Sequence, residues 1–110
     1  MEGLINIDEF KKLQIRIGEI RNAGKIENTD KLLRLIVSFG EEERQIVSGI
    51  AEYFPDPAKL IGKKVAFAYN LEPKTIRGLE SKGMILAAAG EDGSFSLLEA
   101  TNVPGGAKVR

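Results

Sequence analysis

The sequence predicts an all-β fold: a five-stranded barrel with a short helix between its third and fourth strands, extended by a C-terminal hairpin and tail. Three observations carry this. Apolar residues recur at every second position in short runs separated by Gly, Pro and acidic residues, which is the period of half-buried strands. Asp56 followed by Pro57 is a helix start, with a carboxylate at the N-cap and Pro at the first helical position, and it falls after the third such run. The chain has 110 residues, enough for one domain with a real core and too few for two. Surface scaling for this mass gives a folded area of about 6,000 Å², roughly a third of what the unfolded chain exposes.

Each element has its own signal. Leu13, Ile15 and Ile17 alternate, and after Gly18 the next apolar residue is Ile20, so the phase slips by one. A glycine at a phase slip reads as a β-bulge in a bent first strand. Leu33, Leu35, Val37 and Phe39 place one face of a second strand over 32–39, and Gly40-Glu41-Glu42-Glu43 makes a polar turn. A third strand is expected over 44–50 around Ile46 and Val47. The Asp56-Pro57 start then leads through Ala58, Leu60 and Ile61 to Gly62, a helix of about two turns. Val65, Phe67 and Tyr69 alternate in a fourth strand, and 71–77, containing Pro73, reads as a loop. The apolar run 84–89 between Gly83 and Gly90 is expected as a buried fifth strand. Asp92-Gly93 signals a hairpin turn back to a strand over 94–98. Pro104-Gly105-Gly106 opens a tail expected to be irregular. Three strands, a helix and two more strands is the order of an OB-fold. The whole chain, 1–110, is one domain, with 91–110 as a C-terminal extension.

Composition excludes much chemistry. There is no Cys and no His, hence no disulfide, thiol nucleophile, imidazole base or Cys/His metal site. Adjacent carboxylates such as Asp8-Glu9 and Glu41-Glu42 would point to opposite faces of a strand and form no acid/base couple. A binding protein without catalytic activity or cofactor is expected. Glu2 stands where a secretory signal would be basic, and no long apolar stretch follows, so a soluble, cytoplasmic chain with no membrane segment is expected.

Sixteen Lys plus Arg balance sixteen Asp plus Glu, yet the charge is segregated. Residues 11–25 carry a net +4 and residues 63–82 a net +3, leaving −7 on the other 75. Because strands one and four are barrel neighbours, these two segments are expected to share a face whose local field matters more than the net charge. The seven aromatics include Phe39, Phe67 and Tyr69 at inward positions, so few rings are left on which splayed bases could stack. Any RNA reading is expected to be of shape and backbone.

The most distinctive stretch is Val65 to Pro73, with Asn70-Leu71-Glu72-Pro73 closing a strand. It continues through Arg77-Gly78, Ser81 and Gly83-Met84-Ile85-Leu86-Ala87-Ala88. Together with Ile7-Asp8-Glu9-Phe10 leading into Ile15-Arg16-Ile17-Gly18, and with Arg44 to Ile50, it resembles the tRNA-binding domain family. That family includes the C-terminal domain of many methionyl-tRNA synthetases and free-standing tRNA-binding proteins. The resemblance implies an OB-fold that binds tRNA by shape with little sequence preference and assists aminoacylation. It implies Asn70, Arg77, Ser81 and Met84 as contact residues, with Lys31, Arg34, Lys74 and Lys82 as electrostatic support. Asn70 has an alternative role, a hydrogen bond to turn backbone. The resemblance further implies a homodimer, with the tail from Asn102 to Arg110 and the hairpin around 95–98 as interface elements, and association with the catalytic part of methionyl-tRNA synthetase. A chaperone-like, peptide-binding dimer of the same family is the alternative.

Overall fold

The computed structural model describes residues 2–110. It opens with a helix that hydrophobic period alone does not reveal: α1, Ile7–Lys12. The Asn6 side chain accepts from the Glu9 N–H while Glu9 reaches back to the Asn6 N–H, a reciprocal capping box. Asp8 and Glu9 lie in the first turn and Lys11 and Lys12 in the last, each matching the helix dipole. The stretch expected to lead straight into the first strand is therefore a helix.

Strands follow where alternation placed them: β1 Ile15–Lys25, β2 Leu33–Ser38, β3 Glu43–Ser48 and β4 Lys64–Ala68. With β7, Met84–Ile85, they form an antiparallel five-stranded sheet in the order β3-β2-β1-β4-β7. The sheet curls until its two ends approach. Lys82 N–H donates to the Gln45 carbonyl at 2.9 Å and Val47 N–H donates to the Ser81 hydroxyl at 3.0 Å. The all-β, OB-like barrel is thus as expected. Ile20, Leu33, Leu35, Val37, Ile46, Leu60, Val65 and Phe67 are fully buried inside it. Phe39 packs edge-on against Phe67 and Tyr69, with centroids 5.5 and 5.0 Å apart.

Gly18 is not a bulge. The pairing of β1 with β4 runs without a break from Ile15 opposite Ala68 to Glu19 opposite Lys64. The register shift lies further on, between Ile20 and Asn22 against β2. The phase slip arises because both faces of this half-strand are covered. Gly18 and Ile20 face the barrel interior, while Ile17 is buried on the other face beside Ala66. A Cβ at Gly18 would land on Val37 Cγ1 and lie 2.8 Å from Phe39 Cε1. Gly18→Ala is therefore expected to destabilise the chain by about 1–3 kcal/mol through overpacking. Equilibrium urea unfolding checks this, and an unchanged midpoint would show that Val37 and Phe39 can move aside.

The connection between β3 and β4 holds two short 3₁₀ turns, Ala51–Tyr53 and Pro57–Leu60, rather than a two-turn α-helix. Asp56 caps the second by accepting from Ala58 N–H, and Pro57 sits just inside, as the start signal required. Only four residues then separate Asp56 from the Ile61 cap, too few for the 3.6-residue ladder to establish itself.

The 71–77 loop is in part a hairpin. β5 Lys74–Ile76 pairs with β6 Leu79–Ser81 across Arg77-Gly78, whose φ values of 51° and 80° are both positive. That is a two-residue type I′ turn, with Gly at its second position. The run 84–89 is also divided. Only Met84–Ile85 joins the sheet, whereas β8 Ala87–Ala89 is exposed and pairs with β9 Phe95–Leu97 around the expected Asp92-Gly93 turn. Three Ala side chains have little apolar area to draw a strand into a core.

The tail is ordered by β1. Beyond Glu19, β1 pairs with β2, but before it that edge is open. Residues 106–109 fill it: Gly106 N–H donates to the Ile17 carbonyl at 2.7 Å, Ile17 N–H to Ala107 at 2.9 Å and Val109 N–H to Ile15 at 2.8 Å. Covering an open edge in this way satisfies backbone groups that would otherwise invite another strand. Among the described residues no helix is long and apolar enough to cross a membrane.

Candidate nucleic-acid interface

Alternation along β2 sends Leu33, Leu35 and Val37 inward and Arg34 and Ile36 outward. On β3, Gln45 points outward beside them, one register step along, since Ile36 is its direct partner. The Arg34 Nε–H donates to Gln45 Oε1 at 2.6 Å, and Gln45 Nε2 donates to the Glu80 carbonyl at 2.9 Å. One amide therefore ties β2 to the β5–β6 hairpin. The outer face of strands two and three, with the loops around it, is where OB-folds take oligonucleotides. Lys31 lies near the end of the β1–β2 loop, three residues from Arg34. Lys74 and Arg77 stand on the base and the tip of the hairpin. All four cations are exposed. The ion pairs found among the described residues are Arg21–Glu19, Arg44–Glu42, Lys63–Glu99 and Lys82–Glu80; none involves Lys31, Arg34, Lys74 or Arg77.

The remaining expected residues sit differently. Lys82 belongs to this face but lies 3.6 Å from Glu80. Met84 is half exposed at the start of β7 and offers a soft apolar contact. Ser81 is buried, accepting from Val47 N–H and donating to the Gly83 carbonyl at 3.4 Å, so its hydroxyl is occupied within the chain. Asn70 is turned toward the α1–β1 junction. Its Oδ1 accepts from Gln14 N–H and its Nδ2 donates to the Lys12 carbonyl, both at 2.7 Å. The alternative role foreseen for Asn70 was a bond to turn backbone; here its side chain holds instead the backbone of the α1–β1 junction, 56 to 58 residues away in sequence.

β1 and β4 are neighbours, but their basic segments do not make the shared face that charge segregation suggested. Lys63 pairs with Glu99 at 3.3 Å and Lys64 donates to the Val103 carbonyl at 3.1 Å, both in the chain after β9. Arg16 turns inward and stacks on Tyr69, 4.4 Å from the ring centroid, while Arg44 covers the same ring at 3.6 Å. The Tyr69 hydroxyl donates to Glu42, and this bond, aided by Arg44 2.7 Å away, holds the Glu42 carboxyl below its ordinary range. The same bond, with burial, raises the Tyr69 hydroxyl. Because Glu42 is depressed, its contribution is present above the unfolded carboxylate value of about 4.3 and is lost as pH falls through the lower folded one. Alternation foresaw Tyr69 as core but gave no sign of the two guanidinium groups that enclose it. Gln45 also carried no sequence signal, because a Gln at a half-buried strand position looks like ordinary surface. Among the described residues no three His, Cys, Asp or Glu side chains converge as metal ligands.

A curled five-stranded β-barrel with exposed cations around its second strand and the β5–β6 hairpin, in no ion pair among the described residues, defines an OB-like module. The chain belongs to the tRNA-binding domain family: the family model described as "Putative tRNA binding domain" matches residues 15–108. It is similar to the methionine–tRNA ligase of Deinococcus radiodurans, 44% identical over 110 residues, which takes in 99% of this chain and 16% of the ligase. The chain thus spans about a sixth of the length of that enzyme. Among solved structures, a MetRS-related protein from Pyrococcus horikoshii superposes with a TM-score of 0.92 at 49% identity, covering 100% of both chains. The chaperone CsaA of Bacillus anthracis superposes at 0.86 with 28% identity over 98% of this chain and 100% of that one.

Proposed function

We propose that this module binds tRNA by shape and backbone charge and assists aminoacylation in the cytoplasm, either appended to a methionyl-tRNA synthetase or as a separate chain. The observation that carries this reading is the set Lys31, Arg34, Lys74 and Arg77, exposed and in no ion pair among the described residues, grouped about β2 and the β5–β6 hairpin in a chain of the tRNA-binding domain family. Lys82 and Met84 complete the contact surface, while Asn70 and Ser81 hold its frame from behind. Stacking has little part, since Tyr53 and Phe10 are the large aromatics that stand exposed among the described residues. Similarity to methionine–tRNA ligases supports the aminoacylation role and its cytoplasmic setting. Titrating tRNA at several salt concentrations, beside an unfolded polypeptide, tests the reading. Salt-sensitive tRNA binding is expected, and preference for the polypeptide would replace it with the chaperone-like reading that similarity to CsaA supports.

The working form is a homodimer, and its interface takes in α1 and the tail beside it. Accessible surface is 7491 Å², against the roughly 6,000 Å² that scaling allows a monomer of this mass. Helix α1 buries none of its residues. Leu4, Ile5, Ile7, Phe10 and Leu13 are all exposed, and Ile7, Phe10 and Leu13 line one groove with Val109 of the tail. A six-residue helix with an uncovered apolar side is not self-sustaining, and a second copy would cover it isologously. Phe10→Asp with Val109→Asp is expected to halve the mass in solution without unfolding the barrel. Sedimentation at matched concentrations checks this, and a parent chain of 12.0 kDa in solution would refute the dimer.

A further inference from the structure

We infer that Gln45 is a positioning residue that presets the Arg34 guanidinium for an RNA phosphodiester, an inference that rests on the tRNA-binding reading of this face. Arg34 stands on an exposed strand face, where a long side chain would ordinarily sample many rotamers and lose that freedom on binding. Here its Nε–H is held at 2.6 Å by Gln45 Oε1. That bond uses one of five N–H donors and leaves the Nη edge, the part of the fork that matches two phosphate oxygens, turned away from the amide.

The chemistry of the holder matters as much as its distance. A carboxylate in this position would fix the guanidinium equally well and cancel its charge. Arg44, one residue from Gln45, has that arrangement with Glu42. Gln45 is neutral, so Arg34 is ordered while keeping its full positive charge. The amide is itself held, and so is the backbone that carries it. Its Nε2 donates to the Glu80 carbonyl at 2.9 Å, and the Gln45 backbone carbonyl receives Lys82 N–H at 2.9 Å. The first bond fixes the orientation of the amide, so its oxygen is the atom offered to Arg34, and the second seats the hairpin on the backbone of Gln45. Together they make the position of Arg34 depend on the seating of the β5–β6 hairpin, which carries Lys74 and Arg77. One side chain thereby sets the β2 cation and the hairpin cations in a common frame, as recognition of a rigid folded RNA by backbone contacts requires.

The test is a set of variants of the full chain, each titrated with tRNA over a range of salt and each checked for thermal midpoint. Gln45→Ala leaves Arg34 charged but mobile. Affinity is expected to fall between about twofold and tenfold, the cost of ordering one rotamer-rich side chain, with the salt slope unchanged. Gln45→Glu keeps an oxygen against Arg34, gives up the bond to the Glu80 carbonyl and neutralises Arg34, so its slope is expected to fall by about 0.9, one phosphate contact. Arg34→Lys, which leaves Gln45 untouched, is expected to keep the slope and lose affinity as Gln45→Ala does. In an Arg34→Gln background, Gln45→Ala is expected to cost nothing further. Equal losses with and without Arg34, or identical slopes for Gln45→Ala and Gln45→Glu, would reduce Gln45 to a structural tie and overturn the inference. A weakened Arg34→Gln beside a silent Gln45→Ala overturns it alone. An Arg34→Gln chain that binds as the parent does overturns the reading of this face together with it.

Discussion

A chain carrying Arg34→Gln, Lys74→Gln and Arg77→Asn is expected to fold as the parent does and to lose most of the salt dependence of its tRNA binding. Each side chain is exposed and none is in an ion pair among the described residues, so little folding energy is removed. Asn is chosen at 77 because the backbone there has φ 51°, a region Asn tolerates better than most residues. If each cation neutralises one phosphate, the slope of log affinity against log salt falls by about 0.9 per residue, or about 2.7 for the three. On a fourfold rise in salt the parent should then lose about 40-fold more affinity than the variant. Lys63→Gln serves as the control. Its ammonium is already engaged by Glu99 at 3.3 Å, so the slope should not move. A triple variant with the parental slope would place the RNA elsewhere on the barrel.

Phe67→Ala is expected to be the most damaging single truncation in the core, costing about 3–5 kcal/mol. The ring is fully buried in β4 and meets Phe39 edge-on at 5.5 Å. Its removal forfeits transfer free energy, the aromatic contact and the packing of a cavity that curled strands cannot close. Against a total stability of about 5–15 kcal/mol the variant would be marginal, and at roughly 4 °C per kcal/mol its thermal midpoint should drop by about 12–20 °C. Leu71→Ala, at an exposed position in the loop after β4, should stay within about 0.5 kcal/mol. A Phe67→Ala midpoint near that of Leu71→Ala would mean that the barrel interior is not the centre of stability.

The strands of the barrel were legible because their signal is local and repeated. Leu33, Leu35, Val37 and Phe39 can all be buried together only if that segment is extended, whatever surrounds it. Helix α1 was legible in principle, since Asn6 and Glu9 spell a capping box, but its apolar residues never form a buried stripe and periodicity passes over them. The β5–β6 hairpin was hidden because its turn is Arg-Gly rather than Asn-Gly, and because three-residue strands are too short to show alternation. Gly18 was misplaced for a different reason. A phase slip looks the same whether a strand bulges or both of its faces are covered, and only the pairing partners distinguish the two. At the candidate site, Lys31, Arg34, Lys74, Arg77 and Lys82 could be named from residue type and the resemblance. Their grouping could not, because Gln45 joins segments 35 residues apart.

By itself, then, the sequence determined the alternation that makes an all-β barrel, the absence of imidazole and thiol chemistry, and the family to which the chain belongs. These depend on residue identity and on spacings of two to four positions. The tertiary structure decided which cations remain available. Within the basic segment 63–82, Lys63 and Lys64 are spent on the chain after β9 while Lys74 and Arg77 stand open, and Arg16 of the other segment is spent with Arg44 on the Tyr69 ring. An ion pair or a cation–π contact is worth having only within a few ångströms, and which groups come that close is settled by how the sheet curls and where the chain ends return.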